Sequence, residues 1–336
     1  MIKHDAESGS AIILTPNGEI LSMANYPADN PNDKSTYIPE NYRNRILTDL
    51  LEPGSTMKPF TMLLALDKGK ITAEEDECFD VTKRVAHIKP TYNDKNIYKC
   101  MTVKKILQKS DNLGTVKVVE MLNNEQVYDA WNNLGFGKPL ALIPSIETPG
   151  VLKYPYEWSN SDKLTASYGY GPMNTNLAQL ARAYLVFGND GKVPNLKLVD
   201  GFNALDENIQ VFKKETVKKI AKHLDAVVSL DGSGYRARIK GHSVAGKTGT
   251  VNKRLETGGY SKKNNHDTFF SGFSPVTKPR YFMTIHLNQP KKCFRYRSKK
   301  PFKCEGSNSA SMVFNEAMEK ILNNKIYRLS YSKIPN

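Results

Sequence analysis

Residues 51–70 read LEPGSTMKPFTMLLALDKGK. A Pro-Gly turn leads into Ser55 and Lys58, and an apolar run follows that predicts a helix from Ser55 to about Lys68. Positions i and i+3 are neighbours on a helix, so the Lys58 amine is within reach of the Ser55 hydroxyl. Two readings fit this pattern. In one, Ser55 is a helix N-cap and Lys58 a solvated first-turn cation. In the other, Ser55 is a nucleophile and Lys58 its base, because a serine hydroxyl attacks poorly until its proton is taken. The spacing alone does not separate them, since a second Ser-x-x-Lys stands at Ser330–Lys333.

Two further motifs decide between the readings. Ser110-Asp111-Asn112 follows a short amphipathic stretch (102–110), and Lys247-Thr248-Gly249-Thr250 opens a β-type segment. Ser-x-x-Lys, Ser-x-Asn and Lys-Thr-Gly, in that order, form the signature set of penicillin-binding proteins and class A β-lactamases. Each has a chemical reason. Lys58 acts as a base only if its pKa falls toward neutrality, which burial and a second cation, Lys247, would bring about. Ser110 can shuttle a proton to a leaving amine. Asn112 can donate to a substrate carbonyl and hold Lys58, while the Asp111 side chain points away. Gly249 lets an extended peptide lie along the strand edge, as in β-augmentation. Lys247, Thr248 and Thr250 can grip a terminal carboxylate, and the amides of Ser55 and Thr250 can form an oxyanion hole.

Outward from these motifs, the pattern is β, then α, then β. GSAIILTPNGEILSMANYP (9–27) reads as a hairpin about Pro-Asn-Gly. Helical patterns follow at 114–124, 125–135, 174–191 and 216–230, and strands at 243–251, 267–275 and 280–288. A last helix spans about 308–322. Strands at both ends imply one shared sheet. The expected fold is therefore α/β, with a central antiparallel sheet flanked by helices. Residues 1–54 and 241–325 form its sheet-containing part, 55–240 a mainly helical subdomain, and 326–336 a tail. The glycine-rich SYGYGPMNTN (167–176) is either ligand-contacting or a tight turn into a helix, and the polar TGGYSKKNNH (257–266) is a candidate lid.

The 336 residues carry a net charge of +14, which favours anionic partners. Part of the charge lies in KKCFRYRSKKPFK (291–303), but no helix-turn-helix, RNP or zinc-finger pattern accompanies it, and a charge-protected strand edge explains it more simply. No nucleic-acid partner is expected. The longest apolar run is about five residues, too short to span a bilayer. No signal peptide is visible, so work outside the cytoplasm would require a targeting segment that this chain lacks. Cys78, Cys100, Cys293 and Cys304 form no CxxC pair, and the six histidines fit no metal spacing; no metal or cofactor is expected. Either two sequence-local disulfides, Cys78–Cys100 and Cys293–Cys304, or four free thiols are compatible with the count.

Over residues 6–323 the sequence resembles the transpeptidase domain of class B penicillin-binding proteins. ESGSAIILTPNGEILSMANYPADNPND is similar to the family's opening hairpin and polar segment, and RNRILTDLLEPGSTMKP with LQKSDNLG is closest to the cell-division branch. The resemblance implies a β-lactamase/transpeptidase-like fold and a D,D-transpeptidase that cross-links peptidoglycan stem peptides and is acylated by β-lactams. It implies Ser55 as the acylated residue and Lys58 as base, with Ser110, Asn112, Lys247, Thr248 and Thr250 in the roles above. It also implies a membrane anchor and pedestal domain ahead of Met1, work on the periplasmic face of the bacterial inner membrane, and a division glycosyltransferase and other septal proteins as partners. Asn176, where the family usually has proline, Val251, where alanine is common, and the basic insert at 291–303 depart from the pattern.

Two other readings remain. A serine β-lactamase would need a deacylating glutamate, and the closest string, EMLN (Glu120–Asn123), is one residue short of ExxLN and too near Ser110. A penicillin-sensing domain would be acylated without turnover.

Overall fold

The computed structural model describes residues 1–30, 32–90, 98–198, 208–255, 257–261, 265–293 and 303–323. The tail at 326–336, with its second Ser-x-x-Lys, lies outside the described residues, as do 294–302 of the basic segment and 262–264 of the candidate lid.

Five strands form one antiparallel sheet: β1 (Ser8–Leu14), β2 (Ile20–Tyr26), β3 (Ala245–Asn252), β4 (His266–Ser274) and β5 (Tyr281–Asn288), in the order β2–β1–β5–β4–β3. The two ends of the chain meet at the sheet's centre, where Ser8 pairs with Asn288 and Leu14 with Phe282. The β1–β2 hairpin turns at Gly18, whose φ of +85° suits glycine. β4 is buried along its whole length and β5 except at its last residue, because both sheet faces are covered. Their run of aromatic and aliphatic residues follows from that double burial.

On one face lie α1 (Lys58–Asp67), α2 (Val103–Lys109), α3 (Asn112–Val119), α4 (Asn124–Leu134), α5 (Asn160–Ala166), α6 (Leu177–Tyr184) and α7 (Lys214–Val228). α1 is their hub, buried from Lys58 to Ala65, with Phe60 edge-on to Tyr184 at 5.2 Å between ring centroids. The other face is closed by α8 (Ala310–Asn323), whose Phe314 packs on Phe270 at 4.6 Å. This is the sheet-and-helix architecture expected from the sequence.

Several boundaries differ. α1 begins at Lys58, because Gly54–Met57 winds as a 3₁₀ turn in which Ser55 makes no side-chain cap. α3 starts at Asn112 rather than Gly114, since the Asp111 carboxylate accepts from the Gly114 N–H at 2.6 Å. α6 stops at Tyr184 and passes through a 3₁₀ turn, Leu185–Phe187, before Gly188. α5, which was not expected, is opened by a Ser159–Asp162 capping box. A short ribbon pairs Cys78–Asp80 with Cys100–Thr102. Both sequence-local disulfides are formed, Cys78–Cys100 and Cys293–Cys304. Among the described residues no helix is long and apolar enough to cross a membrane.

Candidate active site

Ser55 is held by a turn with little room to move. Gly54 adopts φ +58° and donates its N–H to Gly169 O at 3.0 Å. A Cβ on Gly54 would lie 2.4 Å from Val251 Cγ2, and one on Gly169 would lie 2.2 Å from Gly54 O. The glycine-rich segment at 167–176 therefore braces the turn from one side and β3 from the other. Tyr184 Oη adds a hydrogen bond to Thr56 O at 2.8 Å, and the Thr56 hydroxyl bonds Pro53 O at 2.6 Å. Gly54, Thr56 and Met57 are buried, while Ser55 keeps partial exposure.

Lys58 is fully buried, which overturns its reading as a solvated first-turn cation. Its Nζ donates to Ser110 O and Asn112 Oδ1, both at 2.6 Å, with Ser110 Oγ at 3.4 Å. Ser55 is not among its hydrogen-bond partners. Burial pushes the Lys58 amine down to about 7, against the opposing pull of Asp111. A neutral amine has two protons and one lone pair. With both protons committed to Ser110 and Asn112, the lone pair is free to accept.

The second lysine approaches from the sheet. Lys247 is fully buried and donates from Nζ to Ser110 Oγ at 2.7 Å, Thr248 O at 3.1 Å and Thr248 Oγ1 at 3.3 Å. Burial, and then the neighbouring Lys58, lower its pKa well below the usual lysine range. Ser110 thus stands between two buried amines. It reaches that position because it closes α2 in the left-handed region, at φ +57°. The residue joins α2 directly to α3, and Gly114 allows the close approach: a Cβ there would meet Ile106 Cγ1 at 2.5 Å.

β3 is an edge strand, paired only through β4, with Lys247 opposite Ser271 and Thr250 opposite Thr268. Alternation points Lys247, Gly249 and Val251 toward the helices. The space left by the missing Gly249 side chain is taken by Phe269 and by Thr56 Cγ2, which a Cβ would meet at 3.1 and 3.2 Å. The glycine thus seats the Ser55 turn against the strand. Thr248 and Thr250 alternate with them; the Thr250 hydroxyl accepts from the Gly306 N–H at 3.0 Å, which leaves its own proton to donate, and its carbonyl accepts from Tyr170 Oη at 3.3 Å. Lys58, Ser110, Asn112, Lys247 and Thr248 share one hydrogen-bonded cluster, with Ser55, Gly249 and Thr250 in the turn and strand beside it.

Other groups near the cleft had no motif to announce them. Glu52, in the turn before Ser55, accepts from Tyr260 Oη at 2.8 Å, and burial raises its pKa. Tyr260 packs on Tyr170 at 5.4 Å, so the described part of the candidate lid is fastened to the turn before Ser55 and to the 167–176 segment. Ser233 Oγ lies 3.2 Å from Thr248 Oγ1. Among the described residues, no group of three or more His, Cys, Asp or Glu could hold a metal ion.

The sequence departures have local explanations. Asn176 is the cap of α6, accepting from Gln179 N at 2.8 Å and donating to Thr148 O at 2.7 Å. Val251 fills the space over Gly54.

Residues 9–319 match the family model of the penicillin binding protein transpeptidase domain. The chain is 35% identical over 292 residues to the probable peptidoglycan D,D-transpeptidase PbpC of Pseudomonas aeruginosa, covering 86% of this chain and 51% of that protein. It is 34% identical over 322 residues to the probable peptidoglycan D,D-transpeptidase PenA of Neisseria flavescens, covering 95% and 76%. To the peptidoglycan D,D-transpeptidase FtsI of Escherichia coli K12 it is 34% identical over 290 residues, covering 85% and 47%. The chain thus spans about half the length of several curated relatives it matches. The solved apo transpeptidase domain of penicillin-binding protein 3 from Burkholderia pseudomallei superposes with a TM-score of 0.80 at 28% identity, covering 99% of this chain and 91% of that one. With the convergence of three motifs around one cleft, these matches show that the chain belongs to the penicillin-binding protein transpeptidase domain family.

Proposed function

We propose that the chain is the D,D-transpeptidase domain of a septal cell-wall enzyme, joining peptidoglycan stem peptides through an acyl-enzyme on Ser55 and blocked by β-lactams. The observation that carries this reading is the placement of Lys58 and Lys247 on two sides of Ser110. Lys58 takes the Ser55 proton as Oγ attacks the carbonyl of the penultimate D-Ala. The oxyanion forms against the amides of Ser55 and Thr250. Ser110, its oxygen held by Lys247, gives its proton to the nitrogen of the terminal D-Ala and takes in its place the proton that Lys58 removed from Ser55; the C–N bond breaks and the amino acid leaves. An acceptor amine then attacks the ester and Ser55 regains its proton. Asn112 holds Lys58 and the substrate amide, the β3 edge at Gly249 receives the extended peptide, and Thr248 and Thr250 bind its carboxylate.

Labelling with a fluorescent penicillin tests this, with Ser55→Ala as the control. Retained labelling in that variant would move the nucleophile elsewhere. The β-lactamase reading is not favoured: Glu120 is an exposed residue at the end of α3, and Asn123 caps α4. A β-lactam adduct shed within seconds would revive it. A sensing domain would be labelled yet fail to turn over a D-Ala-D-Ala thioester analogue. The two disulfides support work in an oxidising compartment such as the periplasm. An anchor in the inner membrane, and association with a division glycosyltransferase and other septal proteins, belong to the same proposal.

A further inference from the structure

Ser233 belongs to none of the three motifs, yet its hydroxyl lies 3.2 Å from Thr248 Oγ1 and thereby joins the Lys247 cluster. Its position is built rather than incidental. The turn that follows α7 folds back on that helix, with Gly234 N bonded to Val227 O at 2.8 Å and Gly232 N to Ser229 O at 2.9 Å. Gly232 is required there, since a Cβ would fall 2.0 Å from Val227 O. The Ser233 N–H donates to Gln108 O at 2.9 Å, tying the turn to the last residues of α2 before Ser110. Asp231 fastens it a second time, paired with Lys105 at 3.0 Å and Lys109 at 2.5 Å. Ser233 itself is half-buried.

Three hydroxyls and an amine, those of Ser110, Ser233, Thr248 and Lys247, therefore form one hydrogen-bonded chain at the β3 edge. Such a set of donors fits a carboxylate. We infer that Ser233 is a fourth member of the carboxylate grip, binding the terminal carboxylate of the donor peptide together with Thr248. This rests on the transpeptidase reading and extends it to a residue outside the motifs.

The test compares benzylpenicillin with its methyl ester, which lacks the anion. Acylation rate constants are measured for the wild type, Ser233→Ala and Ser233→Thr by stopped-flow or labelling competition. Ser233→Ala should slow acylation by the acid about tenfold, as expected for one hydrogen bond to a charged group, by weakening pre-covalent binding rather than the chemical step. The ester should react with both proteins alike, and Ser233→Thr should retain the wild-type preference for the acid. An equal loss with acid and ester would make Ser233 a packing residue and overturn the inference. So would an unchanged rate with the acid. Absence of any acylation of the wild type would instead overturn the transpeptidase reading from which the inference starts.

Discussion

Lys247 Nζ donates to the Ser110 hydroxyl at 2.7 Å across 137 positions of sequence. A buried amine that donates to a hydroxyl oxygen leaves that hydroxyl's proton to point elsewhere, and Lys58, bonded to the carbonyl of the same residue, closes the other side. That placement is why the proposed proton path runs through Ser110.

Replacing Lys58 with alanine removes the proposed base and the hydrogen-bond partner of Asn112. Acylation by benzylpenicillin should fall at least 10²–10⁴-fold, the usual worth of a positioned general base. Circular dichroism should show the fold retained. An acylation rate near that of the wild type would exclude Lys58 from the reaction.

The pH profile follows from the lowered Lys58 pKa of about 7. A base must be unprotonated to act, so acylation should be weak near pH 5, rise through about pH 7 and level off above it. The measurement is the acylation rate constant from pH 5 to 9. A profile flat over that range, or one rising only near the ordinary lysine pKa, contradicts the assignment.

Gly54→Ala places a methyl 2.4 Å from Val251 Cγ2 in a left-handed backbone. It should destabilise the protein by about 2–4 kcal/mol, combining overpacking with the cost of that conformation for an L-residue. Val251→Ala in the same chain should recover the packing part and leave about 1–2 kcal/mol. Thermal melts of the two single variants and the double variant check the coupling; strict additivity would mean that the two residues do not press on each other.

The two disulfides should differ in their response to reductant. Cys78 and Cys100 are exposed, whereas Cys293 and Cys304 are buried. Under mild dithiothreitol, alkylation followed by mass spectrometry should find Cys78 and Cys100 labelled first. Loss of that bridge, which spans 22 residues, should lower stability by about 3 kcal/mol. Simultaneous labelling of all four cysteines would refute the ordering.

What could be read from sequence follows from what residue type encodes. Ser55, Lys58, Ser110, Asn112 and Lys247 were legible because their chemistry is rare in combination, even though they lie far apart along the chain. The hairpin about Gly18 and the β4–β5 run were legible from periodicity. Burial of Lys58 was not, because nothing local tells that α1 is enclosed on all sides. Ser233 was invisible for the same kind of reason: one serine in a turn has no signature until the strand opposite it is known. The capping box at Ser159–Asp162 was present in the sequence and could have announced α5. Ribbons two or three residues long, such as the one closed by Cys78–Cys100, fall below the length at which alternation can be seen. Gly54 and Gly169 could be recognised as turn residues, but their mutual contact depends on a fold that joins them across 115 positions.

The pairing of β1 with β5 has a bearing on biogenesis. Ser8 and Asn288, joined by a side-chain hydrogen bond, stand 280 residues apart, and the strand bearing Lys247 reaches the sheet only through β4 and β5. During synthesis β1 therefore waits for β5 to be made before that side of it is paired. Such long-range closure makes for slow assembly. Ser55 is translated early, but Ser110 beside it acquires Lys247 from the sheet only late, so a polypeptide truncated before residue 288 should not be acylated by a β-lactam.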